Sequence, residues 1–150
     1  MRLSDETIGE PIEAVARFME TRDRSHLRGA FVTRGATIVE NFSPHVFSGP
    51  DGLRRWATGF LEHARSQSGL RARFGRPQDM SVDDGRAFVT LPTTWSGRDG
   101  GRRFRETGAW TFVLERTRGR WRIAAYAWGV VAFAYLGTTP QESRSVLRRP

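Results

Sequence analysis

The chain of 150 residues contains no cysteine and no lysine. Without thiols it has neither a disulfide frame nor a thiolate zinc site. Without lysine, all 24 basic residues are arginine, against 16 acidic residues, for a net charge of +8. A long hydrophobic run is also missing, since the longest apolar stretch, residues 123–136, falls short of the ~20 residues that span a bilayer as a helix. The N-terminus shows no basic segment followed by an apolar one, so no signal peptide is expected and the reading is a cytoplasmic protein. Internal repeats and linkers are absent from the pattern. One domain over residues 1–137 is expected, followed by a tail or short helix over 138–150.

What the chain does have is apolar bulk. Hydrophobic residues make up 38% and aromatics 11%, including five tryptophans, too much for a disordered chain. The arginines invite a nucleic-acid reading. They are scattered from Arg2 to Arg149, however, with no compact run interleaved with aromatics, and charge alone supports only non-specific attraction. Nucleic acid is therefore not the expected partner.

The strongest pattern lies in residues 107–128. Trp110, Phe112 and Leu114 alternate with Ala109, Thr111 and Val113, the period of two of a strand. Thr117, Arg118, Gly119 and Arg120 then predict a turn, with Gly119 free to take positive φ. A second strand places Trp121, Ile123, Ala125 and Ala127 on one face and Arg122, Ala124, Tyr126 and Trp128 on the other. Upstream, residues 5–21 predict a helix with Ile8, Ile12, Val15, Phe18 and Met19 on one stripe, capped by Ser4 or Asp5 and with Pro11 in its first turn. Residues 25–31 predict a short helix, 35–42 a strand ending at Glu40-Asn41, and 43–50 a loop. Residues 52–67 predict a helix capped by Asp51 and ended by Gly69. A strand over 70–80 interrupted at Pro77, a turn at Asp83-Asp84-Gly85, and a strand over 86–96 follow; Pro92 argues that this last strand is an edge or carries a bulge. A turn over 97–101 leads into the 107–128 pair. Helices first and turn-linked strands after predict an α+β fold, an antiparallel meander curved around the helices with a cavity at its open end.

This order of elements, with ATIVENF after the short helix, SGPDGLRRW opening the long one and ETGAWTFVLERTRGRWRIAAYAW closing the domain, resembles the NTF2-like superfamily, in particular its SnoaL-like and ketosteroid-isomerase-like branch. The resemblance implies a cone-shaped α+β barrel, a homodimer through the sheet and an apolar pocket between sheet and helices. It leaves the chemistry open, because the superfamily holds isomerases, cyclases, dehydratases, epoxide hydrolases and non-catalytic binding proteins.

In the steroid isomerases a carboxylate base ends the first strand, and the resemblance lays Glu40 on it, with Asn41 inward if the register slips by one. An apolar surround raises a carboxyl pKa toward the range useful for proton transfer. The competing reading gives Glu40 a salt bridge to a rim arginine or a cap on the following loop. The family's tyrosine donor falls on Phe18, and its late-strand acid falls in Gly108-Ala109-Trp110, which holds none, so true ketosteroid isomerase activity is not expected. Glu106, on the face of Trp110 by parity, is a second candidate pocket carboxylate, against a cross-strand pair with Arg86. Tyr126 and His45 are candidates for the tyrosine and histidine of dehydratase-like members, although His45 also reads as an ordinary loop histidine. The spacing of the histidines matches no metal motif, and neither metal nor cofactor is expected. Trp56, Phe60, Trp95, Trp110, Tyr126 and Trp128 supply pocket wall for a flat apolar or aromatic ligand, or else core and subunit interface. Residues 128–136 are apolar on both strand faces, which points to a homodimer through the last strand. The function expected is small-molecule binding in an apolar pocket. Chemistry, if any, would be cofactor-free isomerase, dehydratase or hydrolase chemistry with Glu40 as base, and the alternative is a non-catalytic ligand-binding or scaffold dimer.

Overall fold

In the computed structural model, which describes residues 6–137, a 3-10 turn at Glu6–Ile8 leads into α1 (Gly9–Thr21). The apolar stripe read from the sequence is the buried face, with Ile12, Val15, Phe18 and Met19 turned inward. The expected caps Ser4 and Asp5 and the 138–150 tail lie outside the described residues. The helix ends at Arg22, held at φ 67° with its N–H donating to the Phe18 carbonyl. Its guanidinium reaches the far end of α2 (Gly52–His63), donating to the Ala64 carbonyl at 3.0 Å and to that of Gln67 at 3.1 Å, 5.6 Å above the Phe60 ring. One side chain thus adds a donor to two carbonyls just past a helix end and ties both helices together.

Several element limits differ from the sequence expectation. The expected cap residue Asp51 makes no side-chain cap bond, and α2 stops at His63 rather than residue 67. Gly69, at φ 60°, does not end the helix but sits within β3 (Gln67–Phe74), where the pairing register shifts. The short helix expected over 25–31 shrinks to a 3-10 turn at Arg24–Leu27, after which Phe31 bridges to Ile123. The first strand, β1 (Thr37–Val39), is only three residues long, and the following loop contains β2 (Val46–Phe47), which pairs with it. The strand expected over 70–80 is two, β3 and β4 (Asp79–Asp83).

Long strands β5 (Arg86–Asp99), β6 (Arg102–Thr117) and β7 (Arg120–Tyr135) form the antiparallel meander. Their two-residue turns, Gly100-Gly101 and Arg118-Gly119, have positive φ throughout, as does Asp84-Gly85 between β4 and β5. This is the twist that matches two paired strands. The sheet order is β2-β1-β7-β6-β5-β3, with β4 beyond β3 on β5. The meander is not the whole sheet: β1 pairs with β7 in parallel, Ile38 opposite Tyr126, because the chain crosses over α2 before the other strands are laid down. Pro92 is neither on a sheet edge nor at a bulge. It pairs with Ala109 in register, and its carbonyl accepts from Gly75. A strand residue's N–H and C=O point the same way, so its missing donor falls in the gap between β3 and β4.

Two bulges in β7 decide what faces the core. Val113 pairs with Ala125 and Leu114 with Ile123, which leaves Ala124 as an extra residue. Simple alternation would put Tyr126 and Trp128 opposite to Trp121 and Ile123. The bulge flips the parity, and all four are buried on the helix side. A second bulge at Val131 lies opposite Gly108. A Cβ at Gly108 would stand 2.1 Å from the Gly129 carbonyl oxygen and 2.7 Å from the Trp128 ring, so glycine is what lets that indole lie across the strand. Among the described residues no helix is long and apolar enough to cross a membrane.

Candidate active site

Between the open end of the sheet and the C-terminal ends of both helices lies a small cavity of about 50 Å³ that opens to solvent. Its apolar wall comes from Phe42, Phe60, Trp95, Phe104, Trp110 and Trp128, and its polar groups are Glu40, Glu106, Asn41, His63 and Gln67.

Glu40 follows β1 directly and is 5% exposed. The turn after it fixes its backbone: its N–H donates to the His45 carbonyl at 2.8 Å, and His45, at φ 70°, returns its Nδ1–H to the Glu40 carbonyl at 3.1 Å. The carboxylate Oε1 accepts from the Tyr126 hydroxyl and, at 3.0 Å, from Trp56 Nε1. Burial pushes its pKa from 4.5 up to about 7, against the downward pull of Tyr126, Trp56 and the Asn41 backbone N–H, and nearby Glu106 adds to the rise. The salt bridge to a rim arginine does not form; none of the ion pairs among the described residues involves Glu40. Tyr126, itself raised well above its ordinary pKa by burial first and the neighbouring Glu40 second, donates its hydroxyl hydrogen bond to the carboxylate rather than into the cavity.

Glu106 enters from β6, its carboxylate accepting from Trp128 Nε1 at 3.2 Å. Burial raises its pKa and the indole bond offsets part of the rise. The alternative pairing with Arg86 fails on register, because Glu106 stands opposite Trp95 and Phe133, while Arg86 stands opposite Glu115, its Nε 3.9 Å from that carboxylate.

The remaining sequence candidates separate into wall and support. Asn41, Phe60, Trp95, Trp110 and Trp128 line the cavity with the two glutamates. Phe18 and Trp56 stand behind it, fully buried with ring centroids 5.4 Å apart, and His45 is exposed with its ring turned to backbone. Trp110 Nε1 is buried and has no hydrogen-bond partner among the described residues.

Sequence reasoning missed Phe42, His63, Gln67 and Phe104. Phe104 shares the parity of Glu106 and Trp110 and was available from β6 alone. Phe42 and His63, stacked at 4.8 Å from different elements, meet only in the fold. Burial pushes the His63 pKa down, with Asp99 opposing. No group of three His, Asp or Glu side chains converges as a metal ligand set among the described residues.

An α+β cone with a half-polar cavity at its open end is the class that fold and site define. The SnoaL-like domain model matches residues 2–127, and the chain belongs to that family, within the NTF2-like superfamily. Similar solved structures include the type 3 hexachlorocyclohexane dehydrochlorinase of Novosphingobium barchaimii, 12% identical with a TM-score of 0.74 over 89% of this chain and 90% of that one. Another is a protein of Novosphingobium aromaticivorans assigned provisionally as a scytalone dehydratase, 12% identical with a TM-score of 0.70 over 89% and 88%. A Mycobacterium tuberculosis protein of unknown function is 17% identical with a TM-score of 0.68 over 93% and 75%. At these identities the likeness establishes the fold. No curated protein matches the chain in sequence.

Proposed function

We propose that this protein is a cofactor-independent enzyme that removes a proton from carbon in a small organic molecule, with Glu40 as base and β-elimination as the reaction. The observation that carries the reading is a buried carboxyl on a cavity wall with its pKa raised to about 7, poised to exchange protons near neutrality. Both side-chain donors hold Oε1, which gives the proton-accepting role to Oε2. The C–H bonding pair becomes the new double bond, and the leaving group departs from the adjacent carbon with its own pair. An enolate-forming isomerisation fits less well: Phe18 stands where that branch has a tyrosine donor, and Tyr126 is engaged by Glu40. Two proteins of like fold, the dehydrochlorinase and the protein assigned as a dehydratase, bear names that describe eliminations. Tyr126 and Trp56 act as positioning residues, and His45 holds the Glu40 backbone. The reading keeps the protein in the cytoplasm, as a homodimer.

The test is Glu40→Gln, assayed on a panel of hydroxylated polyketide-like aromatics, steroids, terpenoid epoxides and chlorinated cyclohexanes. Ligands are found by thermal shift and turnover by loss of substrate. The variant should keep its affinity for the uncharged compounds of this panel and lose turnover by about 100-fold or more. A Glu40→Gln protein that turns over as wild type does would refute the role of Glu40, and a wild type that binds compounds without consuming any would leave a binding protein.

A further inference from the structure

The interior of this strongly basic protein carries an imbalance of the opposite sign. Glu40 and Glu106 face one cavity, and none of the four ion pairs among the described residues involves either. No arginine among the described residues lines that cavity. The basic side chain that does so among them, His63, is pushed by burial toward the neutral form. Buried carboxylates ordinarily carry a partner cation. The wall also carries six aromatic rings, three of them indoles, whose faces attract positive charge. One donor is also left over: Trp110 lines the cavity, and its buried Nε1–H meets no acceptor, a deficit that a bound oxygen would remove.

We propose that the cavity is a site for an organic cation, an aromatic amine or quaternary ammonium ion that carries a carbonyl or hydroxyl oxygen, with the positive centre against Glu40 and Glu106 and the oxygen accepting from Trp110 Nε1. The assignment rests on the cavity being the ligand site but not on Glu40 acting as a base. Within the site the cation reverses the effect that the two carboxyls have on each other, since each then gains an opposite charge in place of a like one.

Binding of phenacyltrimethylammonium tests this directly. Its charge is permanent, and 3,3-dimethyl-1-phenylbutan-1-one is its neutral isostere. Calorimetric titration of the full chain at pH 8 should show the cation bound roughly tenfold or more tightly than the neutral ketone. The anion 3-oxo-3-phenylpropanoate should not bind. Glu106→Gln keeps an acceptor for Trp128 and should erase most of the preference while leaving the neutral ketone's affinity in place. Trp110→Phe should reduce the advantage of phenacyltrimethylammonium over benzyltrimethylammonium, which lacks the oxygen; this ratio is taken within one variant, so a loss of stability does not imitate it.

Lowering the pH to 5.5 should weaken the cation and spare the neutral ketone. The groups that face the bound charge are Glu40 at the end of β1, Glu106 on β6, His63 on α2 and, through Glu40, Tyr126 on β7. Protonating either glutamate or His63 makes the cavity less negative. A neutral ketone that binds as tightly as the cation, or a preference that survives Glu106→Gln, overturns the proposal. Either outcome is independent of whether any compound is turned over, so the elimination reading stands or falls separately by its Glu40→Gln assay.

Discussion

Glu40 is useful to a proton-transfer site because it is uncomfortable in its charged form, and that discomfort has a measurable consequence for stability. In the unfolded chain its pKa is the ordinary 4.5, and in the fold burial lifts it to about 7. Between those values the folded protein retains a proton that the unfolded chain has released, so stability falls as pH rises. The contribution is complete below about pH 4.5 and is lost as pH passes through about 7. A shift of that size is worth about 3 kcal/mol. Glu40→Gln has no proton to give up at this position. In urea denaturation, the variant's stability relative to wild type should therefore grow by up to about 3 kcal/mol between pH 4.5 and 8. Parallel pH curves for the two proteins would mean that the carboxyl is not held in the buried state described. The same ionisation sets the rate, because only the charged form accepts a proton, and wild-type turnover should rise through about pH 7.

At the scale of elements, the cavity depends on how β6 and β7 meet at their second bulge. The Trp128 indole crosses Gly108 to reach Glu106, and a Cβ there would collide with the Gly129 backbone as well as with the ring. Backbone cannot yield by a rotamer change, so Gly108→Ala should destabilise the protein by about 1–3 kcal/mol and displace Trp128 from the cavity wall. A lowered Tm together with altered ligand affinity is the expected result, and an unchanged Tm would show that the two strands have room there. The sequence carried no sign of this bulge or its companion, for a physical reason. At Ala124 and Ala125 two like side chains stand in succession, both half-buried, so a slip by one residue costs little apolar contrast and alternation loses its voice. The three tight turns were legible because each ends on a glycine and needs positive φ. Glu40 was reached through the family resemblance, which lays it on the carboxylate position at the end of the first strand. The parallel pairing of β1 with β7, and the arginine clamp that ends α2 at His63, join residues more than forty positions apart, beyond the reach of any local pattern. Glu106 was placed on the correct face by parity, yet its partner Trp128 became visible only once the bulge had turned the indole inward.

For the molecule as a whole, the open question is what covers the outer surface of the last strand. Val131 is 80% exposed and Val130 37%, beside the bulge. Farther back on β7, Ala125 and Ala127 are half-buried small residues, which give the sheet a flat outer surface. In the proposed homodimer an isologous contact through β7 would cover these two valines and bring each Val131 close to the same patch on its partner. Wild-type protein at micromolar concentration should then sediment as a dimer. Val131→Arg adds a charge to both halves of the contact at once, so it should yield monomers while the cavity still binds its ligand. Because each protomer is strongly positive, raising the salt concentration should tighten the wild-type dimer by screening the repulsion between copies. A wild-type monomer at micromolar concentration would remove the dimer from the reading. A dimer that survives Val131→Arg would move the interface away from this end of β7.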